Sequence, residues 1–380
     1  MRVLIATVTA GAGHLQAAAA LEEAWKKLRP EDTVQKLDVL DFGTRLTKKW
    51  YAESYVKLIE HAPDLWSFLF KKTDRPDLVT RFSRLRRTMA GSMSLGFQKH
   101  LRKFRPHVII ATHYLPLELT GGLRTRRWKP FTVCTVTDFE AHALWMEPCV
   151  DLYCVAAEET KARLVARGIE ADRVCVTGIP VAEKFSAKVD VRAVRRQYEL
   201  KSEEPTLLVL SGGFGMGPVA EILDQIDRVP RPVQVLVVTG RNEALRDQLL
   251  QRTYRHPTQV LGFVTNMHEL MAVSDLILTK PGGLTSSEAL AMGKPLLILN
   301  PIPGQEAANS DFLLEHGAAS KANRMEDLPF RLEQLLGSGK LRVLSRAARE
   351  IGKPRAAETI CNEICRRTAE RIAARSQTAP

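Results

Sequence analysis

The sequence predicts an α/β protein of two Rossmann-like domains facing a cleft, on three observations. Short apolar runs alternate with helix-patterned segments along the chain, the mark of parallel sheets with helices on their faces. Each half opens in the same way, with a strand, a glycine turn and a helix: residues 3–8 into Gly11-Ala-Gly-His14, and residues 206–210 into Ser211-Gly-Gly-Phe-Gly. Between the two series, from about residue 182 to 205, the chain turns polar and charged, as a linker between domains does.

The first series places strands at residues 3–8, 34–39, 108–111, 131–137, 152–155 and 174–177. A helix follows Gly11 to about residue 28, a long and mostly helical stretch runs from about 44 to 105, and a helix near 159–167 joins the last two strands. The second series has strands at 206–210, 233–239, 259–261, 276–279 and 296–299, and a helix from about 354 to 374 closes the chain. These limits give an N-terminal domain over 1–185, a second domain over 186–350, and a terminal helix over 351–380 that packs back toward the first domain.

With 380 residues, 45% of them hydrophobic, the chain can bury two cores. The formal charge is +12, which suits an acidic partner: nucleotide phosphates, anionic lipid or nucleic acid. Most of the excess lies in the first half, which holds 29 Lys and Arg against 21 Asp and Glu up to residue 185. From Lys71 to Arg105 the bases dominate, and the preceding segments carry Trp50, Tyr51, Tyr55, Trp66, Phe68 and Phe70. Basic residues beside interfacial aromatics favour an anionic membrane surface; a solvated basic face over an ordinary core is the plainer reading. The six cysteines form no Cys-x-x-Cys pair and read as buried, reduced thiols of a cytosolic protein. No run of 18 apolar residues is present, so any membrane is met from its surface. No nucleic-acid-binding motif is found either.

Ligands of open α/β sheets lie at the carboxyl ends of strands, so the residues there are the candidates. Thr279-Lys-Pro-Gly-Gly-Leu-Thr-Ser-Ser-Glu288 runs from a strand into a turn and a helix beginning at about Thr285, with Glu288 in its first turn. The amide groups at such a helix start suit a phosphate, whereas Glu288 suits hydroxyl donors such as a ribose diol. Ser211-Gly-Gly-Phe-Gly-Met-Gly217 is a candidate phosphate cradle at the head of a helix near 218–226. In the first half, Gly13 lets the backbone approach a ligand, and His14 is a helix cap, a general base or a phosphate donor. Asp138, His142 and Trp145 follow an apolar strand and His113 ends another, a set that fits an acceptor site; a cap for Asp138 and no role for His113 are the plainer readings. The dinucleotide fingerprint is incomplete, lacking its third glycine, though Asp38 ends the second strand near the position of a ribose-binding acid.

Taken together, the ordered motifs resemble a known family. They are the Gly11–His14 turn, Val136-Thr-Asp-Phe with His142 and Trp145, Val176-Thr-Gly-Ile-Pro, Ser211-Gly-Gly-Phe-Gly, Val238-Thr-Gly-Arg-Asn242, Gly262-Phe-Val, Lys280-Pro-Gly-Gly, Glu288, and Pro301-Ile-Pro-Gly-Gln-Glu with Asn309. The chain resembles the monogalactosyldiacylglycerol synthases and the bacterial processive diacylglycerol glucosyltransferases, GT-B enzymes of glycosyltransferase family 28. The resemblance covers most of the chain and is weakest over 44–105. It implies a UDP-sugar, UDP-galactose or UDP-glucose, bound mainly by the second domain. Glu288 would take the ribose hydroxyls and Phe263 would lie at the uracil. Ser211, Gly212, Gly213 and Phe214, with Lys280, Gly282, Gly283, Leu284 and Thr285, would hold the diphosphate. Gln305, Glu306 and Asn309 would contact sugar hydroxyls or diphosphate, and Arg241 a phosphate.

The first domain would receive diacylglycerol through His113, His142 and Trp145 and dock on the cytosolic face of an anionic membrane. The chemistry implied is inverting transfer, with Asp138 or His14 as base; His14 could instead touch the diphosphate. The UDP-sugar is then a co-substrate. No Asp-x-Asp motif is present, so no cofactor and no obligatory metal are expected, and no nucleic-acid partner. The alternatives are an isomerase resembling the non-hydrolysing UDP-N-acetylglucosamine 2-epimerases, which would use the same donor loops, and a nicotinamide-dependent oxidoreductase or nucleic-acid-binding protein.

Overall fold

The computed structural model describes residues 1–9, 11–44, 63–75, 91–120, 128–211 and 217–377. Gly212, Gly213 and Phe214 of the glycine loop, the aromatic residues Trp50, Tyr51 and Tyr55, and the basic residues Arg81, Arg84, Arg86 and Arg87 lie outside the described residues. The chain divides into two compact units, Met1–Glu183 with Arg355–Pro380, and Lys184–Pro354.

The first unit carries a six-stranded sheet built from β1 (Arg2–Thr7), β2 (Thr33–Asp38), β3 (Val108–Ala111), β4 (Phe131–Thr135), β5 (Leu152–Val155) and β6 (Val174–Val176). Its spatial order is β2-β1-β3-β4-β5-β6, and every neighbouring pair is parallel. Helices α1 (Ala12–Leu28), α2 (Pro63–Thr73), α3 (Gly91–Phe104), α4 (Tyr114–Thr120) and α5 (Glu158–Ala166) lie between the strands in sequence.

The second unit carries β7 (Thr206–Leu210), β8 (Gln234–Val238), β9 (Thr258–Leu261), β10 (Leu276–Thr279), β11 (Leu296–Leu299) and β12 (Ala319–Ala322). The order is β12-β11-β10-β7-β8-β9, again parallel throughout. Its helices are α6 (Val191–Gln197), α7 (Val219–Ile226), α8 (Glu243–Leu250), α9 (Met267–Val273), α10 (Gly283–Ala291), α11 (Gln305–Glu315), α12 (Leu328–Gly337) and α13 (Lys340–Ile351). The chain closes with α14 (Ala356–Gln377).

Strands buried on both faces need apolar residues at every position, and β1 shows the consequence. Val3 and Ile5 point to one face, where they meet Leu21 and Trp25 of α1 and Ile360, Cys361 and Ile364 of α14. Leu4 and Ala6 point to the other, where they meet Phe97 and Leu101 of α3. The period-two alternation of side chains thus fills two cores from one unbroken run.

Two sequence expectations are corrected. The second sheet has a sixth strand, β12, whose Ala-Ser-Lys-Ala carries no apolar run because it is an edge strand with a partner on one side only. Helix α10 begins at Gly283 and not near Thr285. Glu288 therefore lies in its second turn, deeper below the helix end than expected.

Both sheets have a topological switch point, where successive strands are laid down on opposite sides of a central one. In the first unit it lies between β1 and β3; in the second, between β7 and β10. Crevices at the carboxyl ends of such strand pairs are the binding places of doubly wound sheets.

Because Ile360 is fully buried against α1 and β1, truncating it leaves a cavity in the first unit. Ile360→Ala is expected to destabilise that unit by about 2–5 kcal/mol, read by urea denaturation; an unchanged midpoint would show that α14 does not contribute to this core.

Candidate functional site

At the first switch point, Gly11 (φ 149) turns the chain out of β1 and precedes α1, a backbone angle that glycine adopts without the Cβ penalty. No side chain caps α1, and His14 stands in its first turn. The His14 ring is fixed across the switch point: Nδ1 lies 2.8 Å from the Thr112 carbonyl, just past β3, and 3.0 Å from Thr137 Oγ1, just past β4. Thr112 Oγ1 answers by donating to the His14 carbonyl at 3.0 Å. A carbonyl can only accept, so Nδ1 carries the hydrogen and the lone pair of the neutral ring is on Nε2. Burial lowers the pKa of His14, and the Asp138 carboxylate opposes this only in part. The ring is thus neutral at pH 7 with a bare Nε2, the state a general base requires.

The other imidazoles of this end differ. The His113 ring stands edge-on to His14 with centroids 4.7 Å apart. Burial, and then the neighbouring His14, hold its pKa well below the usual histidine value. Trp145 closes the group, its ring centroid 6.4 Å from that of His14 and 6.2 Å from that of His113. His142 is employed elsewhere. Its Nδ1 accepts from Leu144 N (3.1 Å) and its Nε2 meets the Phe70 carbonyl (2.9 Å), so both nitrogens are engaged, the first within its own turn and the second in fastening the end of α2. Asp74, just after α2, completes that fastening by accepting from Ala143 N (2.7 Å) and twice from Arg167 (2.7 and 2.6 Å). Asp38 accepts from Thr9 N at 3.0 Å and Leu40 N at 2.9 Å; its carboxylate serves the loop beside it.

At the second switch point, Ser211 follows β7 and donates its hydroxyl to the Val238 carbonyl (2.9 Å), tying the end of β7 to the end of β8. At Gly217 (φ 124), a Cβ would lie 3.7 Å from Lys280 Cε. The Lys280 side chain therefore lies beside Gly217. Beyond Lys280, Gly282 precedes α10 with no side-chain cap, and among the described residues nothing stands within 4 Å of where its Cβ would be. The first amides of α10, at Gly283, Leu284 and Thr285, face this opening with the positive end of the helix dipole.

Helix α11 supports the turn from behind. Its fully buried Asn309 donates Nδ2 to the Pro281 carbonyl (3.1 Å). Glu306 accepts from Ile302 N (2.8 Å), and Gln305 opens the helix one turn before Asn309, on the same face. Burial pushes the Glu288 carboxyl up to about 8, against the opposing pull of the Lys184 ammonium. Past β9, Phe263 is 59% exposed, and the Arg241 guanidinium stands 5.3 Å from its ring centroid. An aromatic ring held out of the core beside a cation is a platform for a planar base.

Thr112, Thr137 and Lys184 were not among the sequence candidates. The two threonines sit at strand ends beside nominated residues, and the strand-end rule applied to every side chain would have found them. No local signal marks Lys184. Among the described residues, no group of three or more His, Cys, Asp or Glu is placed to hold a metal ion. None of the described helices is long and apolar enough to cross a membrane.

Two doubly wound parallel sheets in one chain are the GT-B architecture, and solved structures agree. MurG of Acinetobacter baumannii matches with a TM-score of 0.60 at 14% identity, covering 96% of this chain and 99% of that one. The UDP-GlcNAc 2-epimerase of Neisseria meningitidis, bound to UDP-GlcNAc, matches with a TM-score of 0.59 at 14% identity, covering 96% and 100%. The monogalactosyldiacylglycerol (MGDG) synthase family model matches residues 14–181, and the UDP-N-acetylglucosamine 2-epimerase model matches residues 140–364. Among curated relatives, the processive diacylglycerol beta-glucosyltransferase of Bacillus cereus (strain ATCC 14579) is 31% identical over 372 residues, 96% of this chain and 93% of the relative. The protein of the same name from Bacillus pumilus (strain SAFR-032) is 29% identical over 367 residues, 96% of this chain and 94% of that one. The chain belongs to the family of these processive diacylglycerol glucosyltransferases and the monogalactosyldiacylglycerol synthases.

Nitrogen-15 NMR of the imidazoles tests the site's protonation. His14 is expected to show a protonated Nδ1 and a bare Nε2 at pH 7, with a midpoint below 6.5; a doubly protonated ring at pH 7 would contradict the geometry.

Proposed function

We propose that this protein is an inverting glycosyltransferase that moves a hexose from UDP-galactose or UDP-glucose to diacylglycerol at the cytosolic surface of a membrane. One observation carries the reading: an imidazole held neutral with its Nε2 lone pair bare at one switch point, in a chain whose other half builds a nucleotide-type crevice. The curated relatives, named for glucosyl transfer to diacylglycerol, support the acceptor.

In the proposed reaction the acceptor hydroxyl attacks the anomeric carbon from the face opposite UDP. The new C–O bond forms as the bond to the diphosphate breaks, and the hydroxyl proton passes to His14 Nε2. The geometry favours His14 over Asp138 as base, because the Thr112 carbonyl fixes the tautomer that leaves Nε2 free to accept. The Asp138 carboxylate raises the proton affinity of the ring and so steadies the imidazolium. The departing diphosphate is stabilised by Lys280 and the first amides of α10, in place of an obligatory metal. Arg241 and Phe263 receive the uracil end, Glu288 the ribose diol, and Gln305 the hexose; Glu306 and Asn309 hold the loops that shape this site.

The acceptor side is supported by two amphipathic helices. Helix α2 exposes Leu65 and Phe68 (51% and 58%), with Lys72 Nζ 5.4 Å from the Phe68 ring centroid. Helix α3 exposes Leu95 (71%) on the side that also carries Lys99, Arg102 and Lys103. Apolar residues among cations suit an anionic bilayer surface. A second reading, epimerisation of a UDP-sugar, is favoured by the family-model match over residues 140–364. It requires donor turnover with no acceptor.

A donor and acceptor screen read by mass spectrometry separates the two: hexosylated diacylglycerol is expected, and conversion of the UDP-sugar to an epimer without lipid would replace the first reading by the second. His14→Ala is expected to slow transfer by about 10²–10⁴-fold while leaving UDP affinity within about twofold. Normal turnover in this variant would remove His14 as base. Glu288→Gln is expected to weaken UDP binding by about tenfold, measured by calorimetry.

A further inference from the structure

His113 stands between the end of β3 and the start of α4. Its Nδ1 accepts from the amide of Leu115, in the first turn of that helix, at 3.1 Å. An amide N–H can only donate, so Nδ1 holds a lone pair and the hydrogen of the neutral ring is on Nε2. This is the reverse of His14, whose Nδ1 donates to the Thr112 carbonyl. The two rings meet edge-on, with centroids 4.7 Å apart and planes at 90°. A bare nitrogen and an N–H are thus built on touching rings, and a backbone group chooses the state of each. Burial and the neighbouring His14 keep His113 neutral.

The Leu115 bond accounts for one nitrogen only. Among the described residues, no acceptor meets Nε2. The other contacts of the ring are aromatic, with centroids 4.2 Å from Tyr114 and 6.2 Å from Trp145. A helix cap needs only the atom that accepts, and Asn, Asp or Ser serves that purpose better. The second nitrogen, an N–H beside the base, is what capping leaves unexplained.

We propose that His113 is a specificity-determining residue of the acceptor site, donating from Nε2 to the ester carbonyl oxygen that neighbours the attacking hydroxyl of diacylglycerol. The proposal rests on the transfer reaction given above.

The chemistry selects the oxygen. The attacking hydroxyl gives its proton to His14 Nε2 and needs a lone pair for the anomeric carbon; an N–H on that oxygen would hold the pair back. The N–H beside the base therefore suits a second oxygen of the same molecule, one with no proton of its own. In a 1,2-diacylglycerol the carbon next to the free hydroxyl bears an ester, whose carbonyl accepts strongly. A neutral imidazole kept at a helix start is suited to donate to a carbonyl. Tyr114 and Trp145 give the bond apolar surroundings, in which it is stronger than in water.

The test compares two acceptors in the same mixed micelles: 1,2-dioleoylglycerol, and the dioleyl ether of glycerol that lacks both carbonyls. Transfer is measured for the parent protein, His113→Phe and His113→Gln. The ratio of the two kcat/KM values is taken within each protein, so a general loss of folded enzyme cancels. The parent is expected to prefer the diester by about tenfold. His113→Phe keeps a ring and removes the donor; it is expected to raise KM for the diester by about tenfold, to leave the ether unchanged and so to lose the preference. His113→Gln, whose amide N–H can stand near the Nε2 position, is expected to restore most of it. A parent that treats the two acceptors alike, or a His113→Phe variant that slows both by the same factor as loss of a cap would, overturns the proposal and leaves the transfer reading intact. Nitrogen-15 NMR of the parent at pH 7 is expected to show a protonated Nε2 and a bare Nδ1 for His113; the opposite tautomer overturns the proposal independently of activity. A parent that transfers no hexose to the diester overturns the transfer reading itself, and the proposal with it.

Discussion

The bond from His14 Nδ1 to the carbonyl of Thr112, 2.8 Å long, joins the start of the first helix to the end of the third strand, across the point where the sheet changes its direction of winding. One hydrogen bond of this kind contributes only about 1 kcal/mol to stability. Its larger consequence is chemical. It chooses the tautomer, and with burial it leaves a neutral ring whose lone pair is on Nε2. The parallel order β2-β1-β3 makes the bond available, because only a switch point brings a helix start and the end of a non-consecutive strand together with no helix between them.

The second unit repeats the device with different chemistry. Both switch points carry a helix start without a side-chain cap; beside it the second has Lys280 where the first has the imidazole of His14. The cost in this half falls on Glu288, a carboxyl only 9% exposed in the second turn of α10. A purely structural helix would place an apolar residue there; a buried acid whose opposing charge is Lys184 is retained at a cost in stability, as functional groups often are. The sign follows from the raised value. Glu288 binds a proton more tightly in the folded state than in the unfolded chain, so its contribution is greatest in acid, below the ordinary carboxyl range. It is lost progressively as the pH rises toward 8. A bound partner that uses the ionised form offsets that loss, so ligand affinity and the stability of this element are linked through one proton.

Much of the fold was legible because strands buried on both faces must be written as unbroken apolar runs, as Leu276-Ile-Leu and Leu296-Leu-Ile-Leu are. β12 was not legible, since an edge strand of Ala-Ser-Lys-Ala needs no such run. The start of α10 was displaced because Gly282 precedes it without a capping side chain, so no Ser, Thr, Asp or Asn marked the boundary. In the candidate site, positions were legible and states were not. His14 and Glu288 could be nominated from strand-end geometry, but the tautomer of the first depends on a carbonyl 98 residues away, and the proton affinity of the second on burial that no local window contains. His142 shows the converse: the same geometry nominates it for an acceptor, yet the Phe70 carbonyl and Leu144 amide take both its nitrogens.

That use of His142 bears on how a lipid would reach His14, the base of the proposed reaction. Helix α2 exposes Leu65 and Phe68, apolar side chains that water disfavours. Its carboxyl end is fastened where His142 meets Phe70 and where Asp74 binds Arg167 and Ala143. His142 and Ala143 follow Asp138 by four and five residues, in the same segment after β4. A bidentate Arg–carboxylate bond is directional as well as charged, so the helix end is set in register with the strand end that carries Asp138. On the proposed reading, the surface contact and the proton-accepting group are therefore positioned by one short segment, and an acceptor that enters beside α2 arrives at the end of the sheet where His14 stands.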